Sequence, residues 1–300
     1  MVTVIRAGVS TFRRNLPIWY GLYVGKLALS LLVAVPVLVL IHAVVDRSVF
    51  AQAVSREWSL GVISELVAAK ENLLSSFMLM TLALAAAAFL LKQFLNGGIY
   101  TSLVSSGKPG IRRFFAECGG RFTDHIRISL IMAPIYLALA VVALVVVSLV
   151  PDRIFGLWGN AYLHTMILKV AITYVIILLG SLFSDVVRLH ATVQSGIPVG
   201  TWFKLSLNYV GRHGVQTCVV YLVYFAPMVI CWLLCERLAL VATSRIQSLS
   251  GVVLELLLFQ ICSLFRTGQA LLSIATLAPL VATHAERAVT ATADSGIPHD

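Results

Sequence analysis

Charge is what this chain has least of. Of its 300 residues only 12% are Asp, Glu, Lys or Arg, while 59% are apolar. A soluble domain carries roughly 25% charged residues. So few charges cannot cover a water-facing surface, which excludes an ordinary soluble globule and leaves surplus apolar surface that needs lipid. Catalytic signatures are missing too. There is no GxSxG, no Walker A loop, no GxGxxG and no HExxH. With them go the nucleophile elbow, the phosphate cradle and the two-histidine zinc site. The histidines (His42, His125, His164, His190, His213, His284, His299) show no paired-ligand spacing. The five cysteines (Cys118, Cys218, Cys231, Cys235, Cys262) form no CxxC or other metal spacing. Cys231 and Cys235, one turn apart in apolar sequence, read as small packing residues. No catalytic residue, no metal and no cofactor is expected, and the chain reads as a non-enzyme.

What is present is a series of long uncharged runs. Residues 27–45, 72–91, 128–151, 214–235 and 267–285 contain no Asp, Glu, Lys or Arg. Each is near the ~20 residues that carry a helix across about 30 Å of hydrocarbon. Only helices or closed barrels satisfy their backbone groups there, and these runs are too long for barrel strands. Residues 27–45 are expected to be a retained helix. Ala51-Gln52-Ala53 has the look of a leader cleavage site but follows too long a run, too late in the chain.

One phrase recurs three times: Ser106-Gly107-Lys108-Pro109, Ser195-Gly196-Ile197-Pro198 and Ser295-Gly296-Ile297-Pro298. Each follows a pair of apolar stretches. Pro36, Pro134 and Pro227 lie in the first stretch of each pair, and an aromatic anchors each unit upstream (Phe12, Phe114, Phe203). Phe12 to Pro36 and Phe203 to Pro227 are both 24 residues, and Phe114 to Pro134 is 20. A glycine precedes each anchor (Gly8, Gly110, Gly200). This predicts an all-α polytopic membrane protein: a single transmembrane domain over 1–300 made of three helical-hairpin repeats, 8–109, 110–198 and 199–298. Pro36, Pro134 and Pro227 would kink the first helix of each hairpin, while Pro109 and Pro198 would turn the chain between hairpins. Two crossings per unit give all three the same orientation, a parallel repeat, and six transmembrane helices in all. The same register puts Arg266 at the outer end of the sixth helix. Interfacial helices are expected besides: an amphipathic segment over 47–71, and residues 250–265 extending the sixth crossing outward.

An even number of crossings puts both termini on one side. Fourteen of the 22 Lys and Arg fall there, so the positive-inside rule predicts cytoplasmic termini and a bacterial inner (plasma) membrane location. The net charge of +9 is spread over segments that flank crossings, which points to anionic lipid headgroups as partners and not to nucleic acid. Arg13, Arg14, Arg112, Arg113, Arg121 and Lys204 are the candidate headgroup contacts. They fall in three segments that also hold aromatics (Phe12, Trp19 and Tyr20; Phe114, Phe115 and Phe122; Trp202, Phe203 and Tyr209) and read as in-plane elements at the inner surface.

Ionisable residues at membrane depth are the default functional candidates. Asp185, Arg188, Glu255 and Arg266 are the ones available. Asp185 and Arg188, three apart on one helix face, are expected to pair with each other, and Lys92 to snorkel. Asn96-Gly97-Gly98 reads as a helix break or a close-packing point. Together, Gly97-Gly98 after the second helix, Phe114-Phe115 in the next segment and Asp185-x-x-Arg188 after the fourth resemble a family of bacterial six-helix inner-membrane proteins of mostly unknown function. That family is similar to the membrane domain of some membrane-anchored glycerophosphodiester phosphodiesterases. The resemblance implies a membrane domain without a catalytic residue to carry over. Two functions are therefore expected in order: a non-enzymatic scaffold or accessory subunit that assembles with membrane-protein partners or organises lipid, then a small-solute transporter or channel-like protein with its path between the three hairpins. The duplication is checked by attaching accessibility reporters at Asp300 and near Lys108. Both should label from the same side of the membrane; labelling from opposite sides would refute the two-pass unit.

Overall fold

A computed structural model describes residues 2–45, 73–105, 110–151, 160–194, 196–245 and 249–294. Among them are eight α-helices and no strand: α1 (Val2–Arg14), α2 (Leu16–Val45), α3 (Leu73–Val104), α4 (Ile111–Gly120), α5 (Phe122–Leu149), α6 (Asn160–Val193), α7 (Val199–Arg245) and α8 (Leu249–Asp294). Five contain stretches long and apolar enough to cross a membrane: Met78–Val104, Phe122–Leu149, Leu168–Val193, Val199–Cys235 and Leu257–Ala285. The apolar helix α2 runs for 30 residues, with side chains described through Leu32.

The side chains are sorted opposite to those of a soluble protein. Leu82, Leu144 and Val215 are 68%, 72% and 80% exposed, while Asn96, His125, Arg188, His190, Ser206 and Thr217 are buried. Inward polar groups with outward leucine and valine are what hydrocarbon surroundings select. The chain is therefore a multi-pass membrane protein.

It forms two compact units, Tyr20–Gln93 and the remainder, Met1–Trp19 with Phe94–Asp300. The smaller holds most of α2 and the first part of α3. In the larger, α8 packs along α7, α6 and α1, and α6 lies between α5 and α7. Its core joins Ile128 and Met132 of α5, Val187 and Ala191 of α6, and Trp202 of α7.

The second Ser-Gly-x-Pro copy is a turn, as its composition predicts. Helix α6 ends at Val193 and α7 begins at Val199. Between them Gly196 has φ +94°, a left-handed conformation that glycine adopts without a Cβ clash. Ile197 packs against the core, and the Trp202 indole N–H donates to the Gln194 carbonyl at 3.0 Å. The first copy, with Pro109, and the third lie outside the described residues, as does the 47–71 segment. Pro134 and Pro227 sit inside α5 and α7. Pro36 falls within the range of α2, its side chain outside those described. Pro279 also lies inside a helix, α8, so an interior proline does not distinguish the first helix of a hairpin.

Of the three expected in-plane elements, the one at the start of α7 is not a separate helix. Helix α1 is separate and packs along α8. Gly8 comes so close to Thr276 that an added Cβ would stand 2.0 Å from its Oγ1, and just past α1, in the first turn of α2, the Trp19 indole N–H donates to the Leu264 carbonyl at 3.1 Å. These two contacts lie 12 residues apart on α8, or roughly 18 Å of helix. Gly110 and Gly200, predicted equivalents of Gly8, face open space. The segment holding Trp202, Phe203 and Lys204 is the start of the continuous helix α7, and Trp202 and Tyr209 are both buried at 2% exposure. Residues 250–265 run on into the last span as one unbroken helix, α8, as expected. Among the described residues α1 and α4 are short separate amphipathic helices beside the spans.

Gly97-Gly98 is a close-packing point within an unbroken α3. A Cβ at Gly97 would lie 2.7 Å from the Glu117 carbonyl oxygen, and one at Gly98 2.5 Å from Cys118 Sγ and 2.7 Å from the Phe114 ring. Cys118 is fully buried there, and burial pushes its thiol pKa up. Overpacking such a contact costs about 1–3 kcal/mol. Gly98→Ala should therefore lower the melting temperature in detergent. Gly119→Ala, on α4 with nothing within 4 Å, should leave it unchanged or raise it. Equal responses in a thermal-shift assay would refute the close approach.

Candidate functional site: a polar cluster buried at membrane depth

The centre of the cluster is Asp185 on α6. Its neighbours there are apolar and buried (Leu182, Val186, Val187, Leu189), so a carboxylate in this position must find donors on other helices. It finds two. The Tyr100 hydroxyl of α3 donates to Oδ1 at 2.5 Å, and the Tyr221 hydroxyl of α7 donates to Oδ2 in a shorter hydrogen bond. Both tyrosines are almost wholly buried, at 2% and 4% exposure. Each carboxylate oxygen thus faces one donor, and three helices are fastened through one residue.

Arg188, one turn further along α6, does not pair directly with Asp185. Its Nη2 donates to Ser129 Oγ of α5 at 3.1 Å, and its charge is felt by Tyr100. The expected Asp185–Arg188 ion pair is therefore replaced by a relay in which Tyr100 stands beside both. An ion pair does join Arg121 with Glu117 on α4, at 3.3 Å. The physical reason is competition: a tyrosine hydroxyl engages each oxygen of Asp185, and the guanidinium reaches the adjacent helix instead. The His125 ring stacks at 5.6 Å from Tyr100. His125 Nδ1 and Arg188 Nε are buried without a hydrogen-bond partner.

A second polar group forms where α6, α7 and α8 meet. His190 is fully buried, its Nδ1 3.1 Å from the Val186 carbonyl and 3.0 Å from Ser206 Oγ. His284 of α8 lies 6.1 Å from the His190 ring and 6.0 Å from that of His213, with Tyr209 5.3 Å from both His213 and His284. His190 Nε2 is buried and unpartnered. Three histidines with no sequence spacing to connect them are thus drawn together from three helices. No linear motif could have revealed them.

The other sequence candidates disperse. Arg266 is exposed on α8 and lies near Tyr174. Glu255 is within α8, its side chain outside those described. Lys92 is exposed. Of the basic residues expected at headgroups, Arg13, Arg112, Arg113 and Lys204 are exposed, but two are used internally. Arg14 donates to the Ser105 carbonyl at 3.3 Å. Arg121 donates to the Ala191 carbonyl at 3.2 Å, where the last turn of α6 carries partial negative charge.

Comparisons of this chain with family models, with curated proteins and with solved structures find no match. What the cluster does must be read from its own chemistry. A hydrogen bond to a charged acceptor is worth about 1.5–3 kcal/mol in water-soluble proteins and less between membrane helices, where the separated helices find other partners. Tyr221→Phe should therefore cost about 1.5 kcal/mol in wild-type background. In an Asp185→Leu background the same change should cost far less. Unfolding in detergent measures the cycle, and equal costs in both backgrounds would show that the hydroxyl is not spent on Asp185.

Proposed function

We propose that this protein is a non-enzymatic integral membrane scaffold or accessory subunit that assembles with other membrane proteins or organises lipid. The supporting observation is how Asp185 is used. Asp185, half-buried in its span, is spent on fastening α3, α6 and α7 together, with the more deeply buried Arg188 fastening α6 to α5. Groups locked into helix–helix bonds are poor carriers of a solute or proton, whose binding and release need donors that exchange. In this reading α2 is the first of six crossings, the three hairpins run parallel and both termini are cytoplasmic in a bacterial inner membrane. The exposed Arg13, Arg112, Arg113 and Lys204 then meet anionic headgroups. Membership in the six-helix family that the sequence resembles fits the same picture.

A second reading has its own observation. His125 Nδ1, Arg188 Nε and His190 Nε2 are buried polar atoms without partners, and such atoms at membrane depth favour a hydrated path. A small-solute transporter or channel-like protein would use them. Asp185→Asn and Glu255→Gln separate the two. In the scaffold reading they change melting temperature or the recovery of a co-purifying membrane protein, and flux in proteoliposomes is the same as wild type. Loss of solute flux in a folded variant would overturn the scaffold reading in favour of transport.

A further inference from the structure

The cysteines dismissed by spacing converge in space. Cys231 and Cys235 lie one turn apart on one face of α7, and α8 brings Cys262 against that face. The three Sγ atoms all lie within 4.8 Å of one another, and all three are free thiols. Three sulfurs bound to one ion at about 2.3 Å stand roughly 4 Å apart, so small rotamer adjustments would close the triangle. The surroundings select the ion. Beside Cys231 and Cys235 an open groove of about 730 Å³ is lined by Val223, Pro227, Leu234 and Phe265 among others, all apolar. A small pocket at Cys235 and Cys262 adds Trp232, Leu258 and Phe259. The one nitrogen in these linings, the Trp232 indole N–H, is a donor and cannot ligate a metal; with no carboxylate, imidazole or amide among them, the linings disfavour hard cations and the four-coordinate shell that zinc takes in structural sites.

We propose that Cys231, Cys235 and Cys262 form a three-sulfur site for a soft monovalent cation, Cu(I), reached from the groove between α7 and α8. Copper–sulfur bonds form as thiol protons leave to solvent, and copper stays Cu(I) throughout, so no oxidant or reductant is consumed. The site is anionic when loaded. This site is separate from the Asp185 cluster and does not depend on the scaffold reading.

The test uses the full chain, purified in detergent under reducing conditions and titrated with Cu(I) against a chromophoric Cu(I) chelator. One equivalent should be retained per chain, with an X-ray absorption spectrum of all-sulfur, three-coordinate Cu(I) and a raised melting temperature. Cys262→Ser should weaken retention by about 100-fold or more, since even loss of a supporting partner costs 10–100-fold, and should abolish the thermal shift. Cys235→Ala is the second variant should Cys262→Ser fail to fold. Cys118→Ser and Cys218→Ser should bind as wild type. Surrender of all copper to the chelator by the wild-type chain would overturn the site. So would unchanged retention in a folded Cys262→Ser or Cys235→Ala protein, or a disulfide joining Cys262 to either α7 cysteine that persists under the reducing conditions.

Discussion

A carboxylate placed among leucines and valines at membrane depth must be answered by donors, and Asp185 is answered from two other helices at once. Each tyrosine hydroxyl has its own oxygen to serve, so neither Tyr100 nor Tyr221 can replace the other. The alternative to these bonds is an unsatisfied charge in a medium that solvates it poorly. The penalty for separation therefore falls on three helices together. Arg188 extends the fastening to α5 through Ser129. The core of Ile128, Met132, Val187, Ala191 and Trp202 then packs in the space that these polar contacts delimit.

Apolar burial cannot by itself hold such helices together, because lipid tails are as apolar as leucine. Close approach of backbones takes its place. Glycine makes that possible at Gly8 against Thr276, at Gly97 and Gly98 against α4, and at Gly180 against Tyr136 and Leu139. Around these contacts serine and threonine hydroxyls mostly bond within their own helix, as Ser102 does to Gly98 and Thr276 to Leu272. Their small size admits a neighbour while their polar atoms stay satisfied. In the clusters of Asp185, of the three histidines and of the three thiols, polar side chains instead meet across helices, as Tyr224 also meets Thr276.

Legibility in the sequence followed the range of the interaction. The helices and their membrane class were readable because twenty uncharged residues state a local requirement. The Ser-Gly-Ile-Pro turn was readable because glycine and proline act on their own backbone. Gly97-Gly98 reads in sequence as a helix break or a close-packing point, and only the structure decides for the second and supplies its partner, α4. Asp185 and Arg188 stand out in the sequence as polar residues that need an account, but helix spacing alone pairs them with each other. The tyrosines that displace that pairing lie 85 and 36 residues away and look like any interfacial aromatic in sequence. Arg14 and Arg121 were read as headgroup contacts because a basic residue beside a crossing has that default. Only the structure places a carbonyl of another helix within reach of each.

By itself, the sequence determined that this chain is helical and lives in lipid, since hydrocarbon penalises any unpaired backbone group and the paucity of charge leaves no other solvent. It also determined where one chain reversal falls, through a residue able to adopt a left-handed backbone. Tertiary structure alone decided which polar side chains meet. Tyr100, Asp185 and Tyr221, like His190, His213 and His284 or Cys231, Cys235 and Cys262, come together through the facing and register of separate helices. No one helix carries that register in its own residues, because it depends on how closely small side chains let two helices approach.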